Sequence, residues 1–120
     1  MLADTNMLEY DSTMNVNVRA TFQLISLAVP FLKFSDKKPS ITVLSGSAGV
    51  TPVPGAVALS VSMAMVNMLV KNSALEVGHL GIRVNAVAPG VTNTRARENK
   101  QSRFWGEMGE EVKGKEEQAR

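Results

Sequence analysis

The chain has 120 residues, 44% of them hydrophobic and 20% charged, which fits a globular domain or part of one and argues against wholesale disorder. Its formal net charge of +2 comes from scattered basic residues, so no basic stripe marks a nucleic-acid partner. It has no cysteine and a single histidine, His79, which removes disulfides, thiol catalysis and Cys- or His-rich metal sites from consideration and suits a reducing, cytoplasmic setting. The first residues, "MLADTNMLEYDSTMNVNV", carry acids and no long apolar core, unlike a secretory signal.

In chain order, the first element is an amphipathic helix. Met14, Val18, Phe22, Ile25, Val29 and Leu32 recur at three- and four-residue steps, with Asp11, Ser12 or Thr13 as its cap and Pro30 near its end. "FSDKKPS" is a polar connector, and "ITVLSG" (41–46) reads as a strand buried on both faces. "SAGVTPVPG" is a Gly/Pro loop. A second helix over about 57–77 stops at Gly78 or Gly81, either of which suits a left-handed cap. "IRVNAVAP" (82–89) is the second strand, followed by the loop "GVTNT".

No residue from Pro39 to Val70 is charged, but Pro52, Pro54 and three glycines interrupt this run. Its continuous helical part, about 15 residues, falls short of the ~20 that cross a bilayer. The sequence therefore points to a buried element and to no membrane partner. His79, at the end of the second helix, reads as solvated. Ser60, Ser62, Asn67 and Ser73 are expected to bond within the helix or across a packed interface.

Residues 1–95 form the expected α/β unit, and 96–120 a charged tail or short helix. The segment 95–120 holds seven basic and six acidic side chains around Phe104, Trp105, Met108 and Val112, and serves either as a solvated end or as a docking segment. Helix, strand, helix, strand with short connectors predicts a parallel sheet with crossover connections. Two doubly buried strands need neighbours and a covering layer on each face, so the chain is expected to supply about half of an α/β fold.

The order "NVNVRATF", "PSITVLSGSAG", "NML", "GIRVNAVAPGVTNT" resembles the second half of the short-chain dehydrogenases/reductases, over roughly residues 10–95. That resemblance implies an α/β architecture that is a partial, incomplete Rossmann-type doubly wound parallel sheet, and NAD(P)-dependent hydride transfer, with NAD or NADP as cofactor. It also implies a Tyr as acid or base, a Lys one turn later that lowers the Tyr pKa, a Ser beside the substrate oxygen and an Asn on the preceding helix. Aligned through "AG" and "NML", the Ser position falls on Gly46, the Tyr on Leu59 and the Lys on Met63. Asn17 matches the Asn, and Ser47 (with Ser45) flanks the Ser position, so Asn17 and Ser47 are the remaining candidates for catalysis. A bland role for Asn17 is a bond to a neighbouring backbone carbonyl.

For the cofactor, the resemblance assigns Pro89, Gly90, Val91 and Thr94, with the Val91 N–H offered to the carboxamide. Pro89-Gly90 also suits a simple strand-ending turn. The family's glycine-rich turn has no counterpart, since Gly46, Gly49 and Gly55 follow an internal strand with other spacing. The expected function is that of a truncated, catalytically inactive member of the family. Alternatives are a module that pairs with a like or related subunit through its two long helices, or an oxidoreductase completed by another polypeptide.

Overall fold

The structure is a computed structural model that describes Leu2 and residues 5–92. Helix α1 (Met7–Met14) begins at Asn6, whose side-chain oxygen accepts the Leu8 N–H at 2.9 Å. The cap therefore lies upstream of the expected Asp11, Ser12 or Thr13. Thr13 instead donates its hydroxyl back to the Glu9 carbonyl at 2.8 Å, a bond made inside a helix rather than at its start. A π turn over Asn15–Arg19 joins α1 to α2 (Ala20–Leu32), with the Ala20 N–H donating to the Asn15 carbonyl. Pro30 lies inside α2, close enough to its end that the helix closes within two residues.

Strand β1 (Ser40–Leu44) pairs in parallel with β2 (Arg83–Val87), Ile41 beside Val84 and Val43 beside Ala86. A short 3₁₀ turn (Ser47–Gly49) and helix α3 (Val57–Val77) make the crossover between them. After α3 comes a 3₁₀ turn over Gly78–Leu80, and Gly81 ends it at φ +75°, so Gly81 rather than Gly78 takes the left-handed position.

The core collects Ile25 of α2, Val66, Val70 and Val77 of α3, Val43 of β1, Val84 of β2, and Ile82 beside them. Both long helices thus cover one face of the sheet. The expectation of strands buried on both faces is not met: Leu44 is 73% and Val87 53% exposed on the opposite face. The reason is register. Side chains alternate across the pleat, so Ile41, Val43 and Val84 turn inward while Thr42, Leu44, Asn85 and Val87 turn to the uncovered side. Among the described residues the fold is α/β, an incomplete Rossmann-type parallel sheet with one helical layer.

Counted to Leu80, α3 is long and apolar enough to cross a membrane by length and composition. It carries Lys71 and Glu76, however, and its stripe of Ser62, Val66, Val70, Ser73 and Val77 is buried at steps of three and four. Residues Met1–Gly90 make one compact unit, and the second, Val91–Arg120, lies almost wholly outside the described residues. The expected tail over 96–120 and the candidate Thr94 therefore fall outside them.

Candidate functional site

Asn17 sits at the centre of the π turn, where the helix widens by one residue; such turns recur at functional sites. Its Nδ2 donates to Ser62 Oγ at 3.0 Å, and Ser62 Oγ donates to the Leu59 carbonyl at 2.8 Å. The bond to a neighbouring carbonyl is thus not the one the Asn17 side chain makes. Its own carbonyl accepts the Thr21 hydroxyl at 2.7 Å. Ser62 is fully buried, so this short relay ties the π turn to α3 away from water.

A second pair lies at the end of β1. Ser45, also buried, donates its hydroxyl to Asn67 Oδ1 at 2.6 Å and lies 3.4 Å from the Met63 carbonyl and 3.9 Å from its sulfur. Met63 extends over Gly46: a Cβ built there would be 3.4 Å from Met63 Cγ and 3.6 Å from its Sδ. The thioether therefore occupies the space beside the position that the resemblance gives to a hydroxyl. Gly49 is tighter still, for a Cβ there would meet the Met63 carbonyl carbon at 2.6 Å and the Ala64 nitrogen at 2.8 Å. Only glycine lets the loop lie directly on the α3 backbone.

Ser47 and the Pro89-Gly90 turn come together. The Ser47 N–H donates to the Pro89 carbonyl at 2.9 Å, and Ser47 Oγ is 3.8 Å from a Cβ built on Gly90. Ser47 itself is exposed and opens the 3₁₀ turn, accepting the Val50 and Thr51 N–H groups on its carbonyl. Asn17 and Ser47 are thus held by different partners. Val91 is 46% exposed, and His79 is exposed as expected.

Ser62 and Asn67 bond as expected, within the helix or across a packed interface: Ser62 to the Leu59 carbonyl and to Asn17, and Asn67 to Ser45, partners that the sequence does not single out. The burial of Ser62 could be read from the recurrence of Ser62, Val66, Val70, Ser73 and Val77, one continuous buried face. Ser60 departs from expectation: its Oγ is buried and has no hydrogen-bond partner among the described residues. Nothing in the structure explains it.

The cluster of Asn17, Ser45, Ser62, Met63 and Asn67 offers amides, hydroxyls and a thioether. None of these five titrates near neutral pH, so the cluster can orient and hold but cannot move a proton as an acid or base. The positions on α3 that the resemblance gives to an ionisable Tyr and Lys hold Leu59 and Met63, and neither side chain carries a titratable proton.

Comparison with known proteins agrees with the fold. The sequence pattern described as Enoyl-(Acyl carrier protein) reductase matches residues 1–115. A tropinone reductase homolog of Datura stramonium is 40% identical over 86 residues, 72% of this chain and 32% of that protein. The 3-oxoacyl-(acyl-carrier-protein) reductase of Thermotoga maritima is 34% identical over 86 residues, 72% of this chain and 35% of that protein. Among solved structures, the acetoin dehydrogenase from Salmonella typhimurium superposes with a TM-score of 0.70 at 27% identity, covering 74% of this chain and 37% of that one. The fold and the motifs define an α/β oxidoreductase-type domain. The chain belongs to the short-chain dehydrogenase/reductase family, and it spans about a third of the length of the curated relatives it matches.

Proposed function

We propose that this chain is a catalytically silent member of its family, one that keeps the scaffold of the active helix and has given up the chemistry. The observation that carries this reading is the pair Leu59 and Met63, with Met63 packed on Gly46 and Ser45. Neither side chain has an exchangeable proton, and loss of a general acid or base costs factors of ~100 to 10,000. NAD or NADP is the cofactor this reading assigns to the family. In this reading Pro89, Gly90 and Val91 serve as a strand-ending turn. A cytoplasmic location belongs to the same reading.

The test is direct. The purified chain is assayed with NADH and NADPH against a panel of aldehydes and ketones, and with the oxidised cofactors against alcohols. Fluorescence of its single tryptophan, Trp105, reports binding in parallel. No turnover and no saturable quenching are expected; turnover that disappears in Asn17→Ala would overturn the proposal.

A second reading is favoured by the groove between the π-turn region and α3. Tyr10, Met14, Val18 and Phe22 line one wall, and Met65, Met68 and Leu69 the other. Met65 is 46% and Met68 57% exposed, and flexible thioethers adapt well to a partner helix. In this reading the chain pairs, as a homo- or hetero-oligomer, with a like or related subunit through its two long helices. Light scattering on the purified chain decides it: a defined dimer lost in Met65→Glu supports pairing, and a monomer refutes it.

A further inference from the structure

The helical run from α1 to α2 is interrupted at one place. In the π turn the Ala20 N–H reaches back five residues to the Asn15 carbonyl, whereas an α turn would bond it four back, to Val16. No glycine or proline occurs in Asn15–Arg19 to open the helix locally. The cause of the extra residue therefore lies in what the turn touches.

Two side-chain bonds converge on Asn17, the middle residue of the turn. Its carbonyl accepts the Thr21 hydroxyl at 2.7 Å, a local bond of the kind that bends a helix. Its Nδ2 donates to Ser62 Oγ on α3 at 3.0 Å. Among the described residues, this is the one side-chain hydrogen bond that joins residues 7–32 to the rest of the fold. Ser62 is fully buried and gives its own proton to the Leu59 carbonyl, so its oxygen is fixed in place and accepts only from a donor brought to it. Widening the helix by one residue is what brings the Asn17 amide there.

We infer that the Asn17–Ser62 bond is a latch between two registers of the N-terminal helix: the π register of this structure, and an all-α register reached when the bond opens. Taking the extra residue out of the turn rotates everything before it by about 100° and moves it about 1.5 Å along the axis. Tyr10 and Met14 lie on the moving part, in the wall that faces Met65, Met68 and Leu69 across the groove. The latch thus decides which residues of α1 are turned to α3. The core contacts of α2 at Ile25, Val29 and Leu32 come after the turn and stay in place in either register. A buried polar pair fixing one of two packings is a known use of such pairs, and a one-residue choice becomes a large change of surface. The latch works whether or not the chain is catalytic.

The test is to measure which carbonyl accepts the Ala20 amide, by nuclear magnetic resonance scalar coupling across the hydrogen bond in the isotope-labelled full chain. The unaltered chain is expected to couple Ala20 to Asn15. Ser62→Ala and, from the other end of the bond, Asn17→Ala are expected to move the coupling to Val16. Their amide shift changes should reach through Met7–Met14 and leave distant β2 unchanged. Ser73→Ala is the control: it removes another buried hydroxyl of α3, one with no bond to Asn17, and should leave the coupling at Asn15. Coupling that stays at Asn15 in either folded variant overturns the inference, because something other than this bond then holds the turn. So does coupling to Val16 in Ser73→Ala, which would make the change a general response to a lost hydroxyl. If Ser62→Ala does not fold, Asn17→Ala decides alone by the same reading.

Discussion

Replacing Gly49 by alanine isolates the tightest glycine contact among the described residues. A methyl group there lands 2.6 Å from the Met63 carbonyl carbon and 2.8 Å from the Ala64 nitrogen, both backbone atoms of α3 that no rotamer change can move aside. Forcing an extra methyl into a packed contact costs about 1–3 kcal/mol, and the rigid neighbour puts this site at roughly 2–3. Restricting the unfolded chain by a Gly→Ala change returns about 0.4–1 kcal/mol, which leaves a net loss of roughly 1–2.5. At about 4–8 °C per kcal/mol for a domain of this size, Tm should fall by about 4–20 °C. Thermal unfolding followed by circular dichroism reads it, with Gly46→Ala as the matched control. Gly46 has an extended backbone, φ −157° and ψ 150°, and its added Cβ would meet Met63 at an ordinary 3.4 Å. The control should be neutral or slightly stabilised. If the two variants melt together, the loop does not rest on α3 as described.

Three further outcomes follow from the same contacts. Ser62→Ala should cost about 1–3 kcal/mol in urea unfolding, since it strands the Asn17 amide and removes the bond to the Leu59 carbonyl; an unchanged midpoint would remove the relay. A double-mutant cycle on Ser45→Ala and Asn67→Ala should return a coupling of at least ~0.5 kcal/mol, and additivity would mean that the 2.6 Å bond carries no net energy. Ile82→Ala, at a side chain only 2% exposed, should lose about 2–5 kcal/mol and bring forward proteolysis of the folded chain; a loss within about 0.5 kcal/mol would place Ile82 outside the core.

The fold was legible where a period or a breaker dominates. The apolar steps from Met14 to Leu32, the β-branched runs "ITVL" and "IRVNAV", and Gly81 with its left-handed backbone each mark an element that forms for local reasons. The π turn was not legible, because widening a helix by one residue leaves the same apolar spacing on either side of it. The uncovered sheet face was not legible either: a strand rich in Val and Ile reads alike whether one face or both are covered. Of the site, the substitutions Gly46, Leu59 and Met63 could be seen by alignment, since they sit where chemistry would be expected. The bonds of Ser62 and Ser45 could not, because they join residues 45 and 22 positions apart and depend on how α3 lies over β1.

The seat of Met63 over Gly46 also bears on the history of the chain. Two residues that touch constrain the order in which either can change. An ammonium restored at 63 would arrive beside a bare glycine with no hydroxyl and no phenol to work on, and a serine restored at 46 would meet a thioether in place of a hydrogen-bonding partner. On the proposed reading neither single step alone regains an acid–base pair, so the contact acts as a ratchet: only several coincident changes would restore the chemistry at this surface.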